Sequence, residues 1–581
     1  MILPSIVNIA KICAQLGVYQ AVLSPGSRCA PLSIGFVRHP QIFTRTLSDE
    51  RSAAFVGLGI ARQLHTPTVL ICTSGSAAYN YAPAVAEAFF QQIPLLILTA
   101  DRPPEWIDQL DGQTIRQRDI YGRHVKASFE LPIGQTEADI WHAGRMVAEA
   151  VNLSRAYPKG PVHVNVPLRE PFYPTPDEDI HYDSHVKVIH QWEAEAELGN
   201  NSLKKLLPEW KAAKRKLIVC GQSPYDLALG KALQTLSDEQ QIPLVADVIS
   251  NMHALPQAVK HADVLLAQKD ERLLETLQAD LLITFGLSVM SKNLKLFLRK
   301  FKPKHHWHIQ PAGAAADTFQ ALTQVIHSSP LAFFRAMQGQ QEAEPSQITF
   351  AQSWQEEEQQ AAAFIKGLFS DSPKNLEVPN EFQALSEAMH HLPDQSNLHL
   401  ANSMTVRYAN LLGLNNLQQQ VEVFANRGTS GIDGSNSTAV GSSLVSDRLT
   451  VLVSGDLAFF YDRNAFWHNY KLPRLRIIIL NNHAGGIFRM IEGPATQPEL
   501  EEYFETRQTL EAENTARDFG MQYQRISLET EADMTKLKET LPLFYEDNAE
   551  HAKILEVVSN SKTNTEFFKK YKELIQQNYG R

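Results

Sequence analysis

Two polar groups, each at the end of an apolar run, carry the clearest chemistry in this sequence. The run Leu449–Ser454 leads into Gly455, Asp456 and Leu457, and a second run, Arg476–Leu480, leads into Asn481 and Asn482. If both runs are parallel strands, both polar groups sit at carboxyl ends, where open α/β sheets bind ligands. A magnesium ion takes about six oxygens and commonly uses one carboxylate together with substrate phosphates. Asp456 would supply the carboxylate, Asn482 a neutral side-chain oxygen and Ala484 its backbone carbonyl, with diphosphate oxygens and water completing the shell. Mn²⁺ can use the same donors. Gly455 would let the backbone approach the diphosphate closely. A Gly-Asp pair after a strand is also ordinary turn chemistry; the spacing and the matched strand-end contexts distinguish this one. The residues between, including Asn464 to Tyr470, fit one crossover helix.

Positioning these groups requires parallel sheets, and the chain reads as three of them. Tyr19–Leu23, Pro67–Cys72, Leu95–Thr99 and Val162–Val166 read as buried strands, alternating with helical patterns such as Ala53–Gln63 and Ala82–Gln91. A proline-, acid- and histidine-rich linker, Pro167–Asn201, follows. Lys216–Cys220, Leu281–Phe285 and His306–Ile309 repeat the pattern. A Gln- and Glu-rich connector runs from Gln340 to about Asn380, and Glu422–Ala425 opens the last set. The expected fold is therefore α/β, with three consecutive parallel-sheet domains at 1–175, 200–340 and 375–581.

Composition sets the class. With 581 residues, two to four domains are expected. Hydrophobic content of 44% and charged content of 20% suit an ordinary globular protein, and a net charge of −10 argues against a nucleic-acid-binding surface. Anionic substrates would need a local cluster of Arg and Lys. Cys13, Cys29, Cys72 and Cys220 are scattered and read as reduced thiols. The amino terminus reads as an amphipathic helix, not a leader, and no apolar window is long enough to span a membrane. A cytoplasmic protein without integral membrane association is expected.

The Gly455-Asp456 and Asn481-Asn482 pair is similar to the motif of thiamine-diphosphate enzymes; Leu457 stands where many members carry glycine. Such enzymes need a carboxyl beside the aminopyrimidine nitrogen to drive its imino form. Glu50 is the candidate for that catalytic role, where an extended segment turns into a helix with small residues on one face. A carboxylate in a first helical turn also suits the helix dipole, and Asp49 could serve there equally well. Gly75 and Ser76, after the strand ending at Cys72, would bring backbone close to the pyrimidine.

Further strings narrow the resemblance: Ser24 to Arg28, Asp49 to Arg51, Ala100 to Glu105, Gly112 to Gln117, Ala401 to Arg407 and Asn426 to Gly434. Together they resemble the synthases that make 2-succinyl-5-enolpyruvyl-6-hydroxy-3-cyclohexene-1-carboxylate in the menaquinone pathway, densely in both outer domains and weakly in the middle one. The resemblance implies a transferase that decarboxylates 2-oxoglutarate and adds the remaining fragment to isochorismate in a Stetter-like conjugate addition. It implies a pyrimidine-binding first domain, a diphosphate- and Mg²⁺-binding last domain, and a homodimer or dimer of dimers with shared active sites. Guanidinium forks suit substrates that each carry two carboxylates. By resemblance, Ser403, Arg407 and Arg427 would hold the succinyl carboxylate. Ser27, Arg28, Arg102, Gln113 and Lys292 would hold isochorismate. Ile432 would wedge under the cofactor, and Ile487 and Phe488 would line its pocket. Asn293 stands where family members carry a second basic residue. Other readings are an acetolactate-synthase-like carboligase, a simple 2-oxoacid decarboxylase, or a cofactor-binding protein without catalysis. The first two would need only one carboxylate partner, and the third would predict loss of Glu50 or Asp456. No dinucleotide fingerprint follows a strand in the middle domain, and no P-loop fingerprint occurs.

Overall fold

Runs of β-branched and aliphatic residues form strands buried on both faces, which is what helices packed over both sides of a parallel sheet require. The computed structural model describes residues 3–170, 172–175, 179–194, 196–370, 378–414, 420–546 and 549–579. The expected domain boundary at 375 and the chain end at 581 lie outside the described residues.

The first sheet contains β1 (Gln20–Leu23), β2 (Phe43–Thr46), β3 (Thr68–Cys72), β4 (Leu95–Asp101), β5 (Ser128–Glu130) and β6 (Pro161–Pro167), in the order β2-β1-β3-β4-β6-β5. The second contains β7 (Lys216–Cys220), β8 (Leu244–Ala246), β9 (Ala258–Val259), β10 (Leu281–Phe285), β11 (His305–Gln310) and β12 (Gln324–His327), in the order β12-β11-β10-β7-β8-β9. The third contains β13 (Asn397–Leu400), β14 (Glu422–Phe424), β15 (Thr450–Gly455), β16 (Leu475–Asn481), β17 (Gln522–Ser527) and β18 (Lys553–Val558), in the order β14-β13-β15-β16-β18-β17. The three sheets are parallel, so the expected α/β class with three consecutive parallel sheets stands. The first and third share one topology. The second has the doubly wound order 3-2-1-4-5-6 read from its other edge.

In the second sheet the loops after β7 and β10 bond directly to each other. Leu287 N–H donates to the Gln222 carbonyl and Gln222 N–H to the Ser288 carbonyl, both at 2.9 Å. The crevice that would hold a nucleotide in such a sheet is thereby closed by backbone.

By internal contacts the chain divides into two units. One comprises Met1–Glu193, Asn426–Thr450 and Ala458–Leu475; the other comprises Ala194–Ala425, Val451–Leu457 and Arg476–Arg581. Within the first unit, helix Glu50–Leu64 crosses helix Ser435–Ser443 at backbone distance. A Cβ added to Gly59 would lie 2.2 Å from the Thr438 carbonyl oxygen, and one added to Gly441 would lie 2.1 Å from that of Val56. The helix Pro4–Gln15 is buried on most of its surface, with Ser5 and Asn8 among its buried residues, instead of presenting a polar face.

The expected crossover helix over Asn464 to Tyr470 is not formed. The helix is earlier, Asp456–Tyr461, followed by a 3₁₀ turn at Arg463–Phe466. Asp462 ends the helical path because its buried carboxylate is turned to Ser437, accepting the backbone N–H at 2.7 Å and the hydroxyl at 2.8 Å.

Candidate functional site

At the carboxyl ends of β15 and β16 the structure places the expected cation-binding residues. Asp456 is 3% exposed and opens its helix directly from the strand. Its carboxylate accepts the Gln508 side-chain amide at 2.8 Å. No cationic side chain among the described residues pairs with it, and burial pushes its carboxyl up to about 6. A Cβ added at Gly455 would meet nothing within 4 Å, so the space above the strand end is open. Among the described residues no group of three or more His, Cys, Asp or Glu is placed to hold a metal. A cation here would rely on one carboxylate, neutral oxygens and ligand phosphates, a donor set that fits a hard divalent ion.

Asn482 is oriented by two contacts. Its amide donates to Glu381 Oε2 at 3.0 Å and its oxygen accepts Ala484 N–H at 3.1 Å. The Ala484 carbonyl accepts Gly486 N–H at 2.9 Å and keeps a second lone pair. Glu381 was not foreseen. It is the first residue of helix Glu381–His390, 3% exposed, and burial pushes its carboxyl up to about 7. In sequence it is indistinguishable from a dipole-favouring carboxylate after an Asn380 cap; only the fold turns it toward Asn482. Gln508 was missed as well, in a loop with no motif. Leu457 has a packing role: its Cδ1 lies 3.3 Å from where a Gly485 Cβ would stand, against the turn leading to Ile487 and Phe488. Those two residues are half-buried at the start of helix Ile487–Met490.

Lys292 and Arg407 are braced by one unforeseen carboxylate. Lys292 is exposed at the start of helix Lys292–Lys300. Asp263 accepts the Ser291 hydroxyl at 2.7 Å and Asn293 N–H at 2.9 Å on one oxygen. Its other oxygen accepts the Asn410 amide at 3.3 Å, from helix Met404–Leu412, which carries Arg407. Asn293 also donates to the Asp263 carbonyl at 2.6 Å, so this position serves the brace. Ser403 caps the Arg407 helix at φ +76°, and its carbonyl accepts Arg407 Nη1 at 2.5 Å.

In the other unit, Ser27, Arg28, Glu50, Gly75, Ser76 and Arg102 follow the carboxyl ends of strands of the first sheet. Asp49, not Glu50, caps helix Glu50–Leu64: it accepts Ser52 N–H at 3.0 Å and the Asn464 amide at 2.8 Å. Glu50 is left with one amide donor, Asn80, at 3.2 Å. Gly75 has φ +90°, and its N–H donates to Gln117 Oε1 at 2.8 Å, a buried residue with no role assigned from sequence. Ser76 and Ser27 are exposed. Arg28 is buried, donates to the Leu168 carbonyl at 3.0 Å, and lies 4.7 Å over the Phe172 ring. Burial, then the neighbouring Arg102 charge, hold its pKa below the usual range. Arg102 pairs with Asp111 at 3.0 Å and donates to the Gly112 carbonyl at 2.8 Å, next to exposed Gln113. The loop Asn426–Gly434 carries Arg427 and an Ile432 that is 39% exposed.

Comparisons with known proteins agree with this architecture. Residues 8–120 match the model of the thiamine pyrophosphate enzyme N-terminal TPP binding domain, and residues 185–400 match that of the thiamine pyrophosphate middle domain. The chain is 46% identical over 576 residues to the 2-succinyl-5-enolpyruvyl-6-hydroxy-3-cyclohexene-1-carboxylate synthase of Cytophaga hutchinsonii, covering 99% of each chain. It is 36% identical over 582 residues to the synthase of the same name from Flavobacterium johnsoniae, covering 99% of this chain and 100% of that one. With that from Porphyromonas gingivalis it shares 37% over 563 residues, covering 96% and 94%.

Proposed function

This chain belongs to the 2-succinyl-5-enolpyruvyl-6-hydroxy-3-cyclohexene-1-carboxylate synthase family and is a thiamine-diphosphate-dependent enzyme of menaquinone synthesis; we propose how its own residues carry the reaction. That reaction decarboxylates 2-oxoglutarate and adds the remaining fragment to isochorismate. The observation that carries the assignment of residues is Asp456, a buried carboxylate with no cationic partner among the described residues, beside an oriented Asn482 and an open strand end.

Asp456, Asn482 and the Ala484 carbonyl would hold Mg²⁺, or Mn²⁺ in its place, and Gly455 would give the diphosphate room. Thiamine diphosphate supplies, when bound, the carbon acid and the electron sink that decarboxylation needs. Glu50 holds a proton at the aminopyrimidine nitrogen; the division of labour with Asp49 leaves its carboxyl available for this. Gly75 and Ser76 would let backbone approach that ring, and Ile432 would pack against the cofactor. Arg407, Arg427 and Ser403 hold the far carboxylate of 2-oxoglutarate. Ser27, Arg28, Arg102, Gln113 and Lys292 hold isochorismate, whose two carboxylates suit the neighbouring pair Arg28 and Arg102. Ile487 and Phe488 exclude water from the reacting carbon, where a stray proton would end the reaction at the aldehyde. The protein works in the cytoplasm as a homodimer or dimer of dimers with shared active sites. Among the described residues no helix is long and apolar enough to cross a membrane.

The test is to incubate the protein with thiamine diphosphate, Mg²⁺ and 2-oxoglutarate, with and without isochorismate. Consumption of both substrates at a common rate that depends on cofactor and metal is expected. Decay of 2-oxoglutarate with isochorismate untouched would mean that the acceptor is wrong.

A further inference from the structure

We propose that Glu87 is a positioning residue for 2-oxoglutarate, its buried carboxylate fixing the loop that presents Arg427. This rests on the reading of Arg427 as a carboxylate-binding group. Glu87 lies within helix Ala82–Phe90, is 1% exposed, and takes part in none of the steps above. A carboxylate is buried at heavy cost unless several donors compensate it. One Glu87 oxygen accepts Gly428 N–H at 2.8 Å, and the other accepts both the N–H and the hydroxyl of Thr429 at 2.6 Å. Gln91, one turn on, donates its amide to the first oxygen. All four donors are neutral.

Two consecutive backbone N–H groups aimed at one carboxylate fix the peptide planes that follow Arg427. The loop is also pressed against the helix: a Cβ added at Gly428 would lie 2.7 Å from the Glu87 carbonyl oxygen. Nothing larger than glycine fits there without moving the backbone. Charge-assisted hydrogen bonds are shorter and stronger than neutral ones, so the carboxylate holds the Arg427 backbone more rigidly than an amide in its place.

The experiment is a double-mutant cycle in the enzyme supplied with thiamine diphosphate and Mg²⁺, comparing Glu87→Gln, Arg427→Ala and the double variant by steady-state kinetics. Glu87→Gln is expected to raise KM for 2-oxoglutarate about tenfold, as for loss of hydrogen bonds to a charged group, and to leave KM for isochorismate within about twofold. In the Arg427→Ala background the same change should add nothing. Additive effects, an equal rise in both KM values, or an unchanged KM for 2-oxoglutarate in Glu87→Gln would overturn the proposal. If Arg427→Ala alone left 2-oxoglutarate kinetics unchanged, the assignment of Arg427 would fall and the proposal with it, an outcome distinct from additivity. Thr429→Val, which removes only the hydroxyl donor, gives the same cycle at about threefold if Glu87→Gln does not fold.

Discussion

The first and third sheets share one strand order, yet their corresponding strand ends carry opposite chemistry. β3 runs on to Gly75, a neutral turn whose N–H is taken by Gln117, whereas its counterpart β15 runs on to the buried carboxylate of Asp456. β4 leads to Arg102 and β16 to Asn482. Beyond β2 stands the acid Glu50, and beyond β14 the base Arg427. In this topology the crevice at the switch point, between β1 and β3 or between β13 and β15, is the same in both sheets. The scaffold decides where a ligand can sit, and a few residues at the strand ends decide which one. The second sheet makes the complementary point: it keeps a ligand-binding topology but closes the crevice with backbone hydrogen bonds.

If the two outer sheets divide the work in this way, damage to each should have a different signature. Asp456→Ala should lower kcat/KM by about a thousandfold or more, through loss of an electrostatic contribution, and abolish metal-dependent binding of thiamine diphosphate in calorimetry. Retained metal-dependent binding would break the comparison at its strongest point. Glu50→Gln should lower kcat by about a hundredfold or more while cofactor affinity stays within a few-fold, because only proton transfer is lost. Wild-type turnover would remove Glu50 from the mechanism. Asp263→Ala should release the Lys292 and Arg407 segments together, raising KM for both substrates about tenfold in steady-state assays. Gly59→Ala should cost about 1–3 kcal/mol by overpacking the helix crossing, seen as a thermal midpoint lower by several degrees.

The smallest effect belongs to the second sheet, as a control. Asp247 accepts the N–H groups of Met290 and Ser291, and burial, then the Asp263 charge, push its carboxyl up to about 7, with Lys295 pulling the other way. Its folded pKa lies above the unfolded one, so the folded state binds the additional proton. Stability therefore falls as pH rises from the ordinary value of 3.8 to about 7. Asn keeps the acceptor and loses the titration. The thermal midpoint of Asp247→Asn should gain on that of the parent between about pH 4 and about pH 7. A parallel pH profile for the two proteins would refute the assignment.

The parallel α/β class was legible because long apolar runs such as Leu95–Thr99 and Arg476–Leu480 can only be strands buried on both faces. Short or half-exposed strands were not: β2 and β17 are mostly polar and lie at sheet edges, and β9 has only two residues. The places of Asp456 and Asn482 were legible because the apolar runs before them fix where the strands end. Glu381, Gln508 and Asp263 were not, since each acts through a partner distant in sequence that only folding brings near. The choice between Asp49 and Glu50 was likewise open until Asn464, remote in sequence, was seen to engage Asp49.

The helix crossing at Gly59 and Gly441 has a consequence during synthesis. The first unit includes Ala458–Leu475, so it is incomplete until residue 475 has emerged, long after its own first sheet. At about 5–20 residues per second, roughly 20–80 s separate synthesis of the small-residue face of helix Glu50–Leu64 from arrival of the helix that covers it. For that interval the nascent chain carries a small-residue helix face whose covering helix has not yet been made.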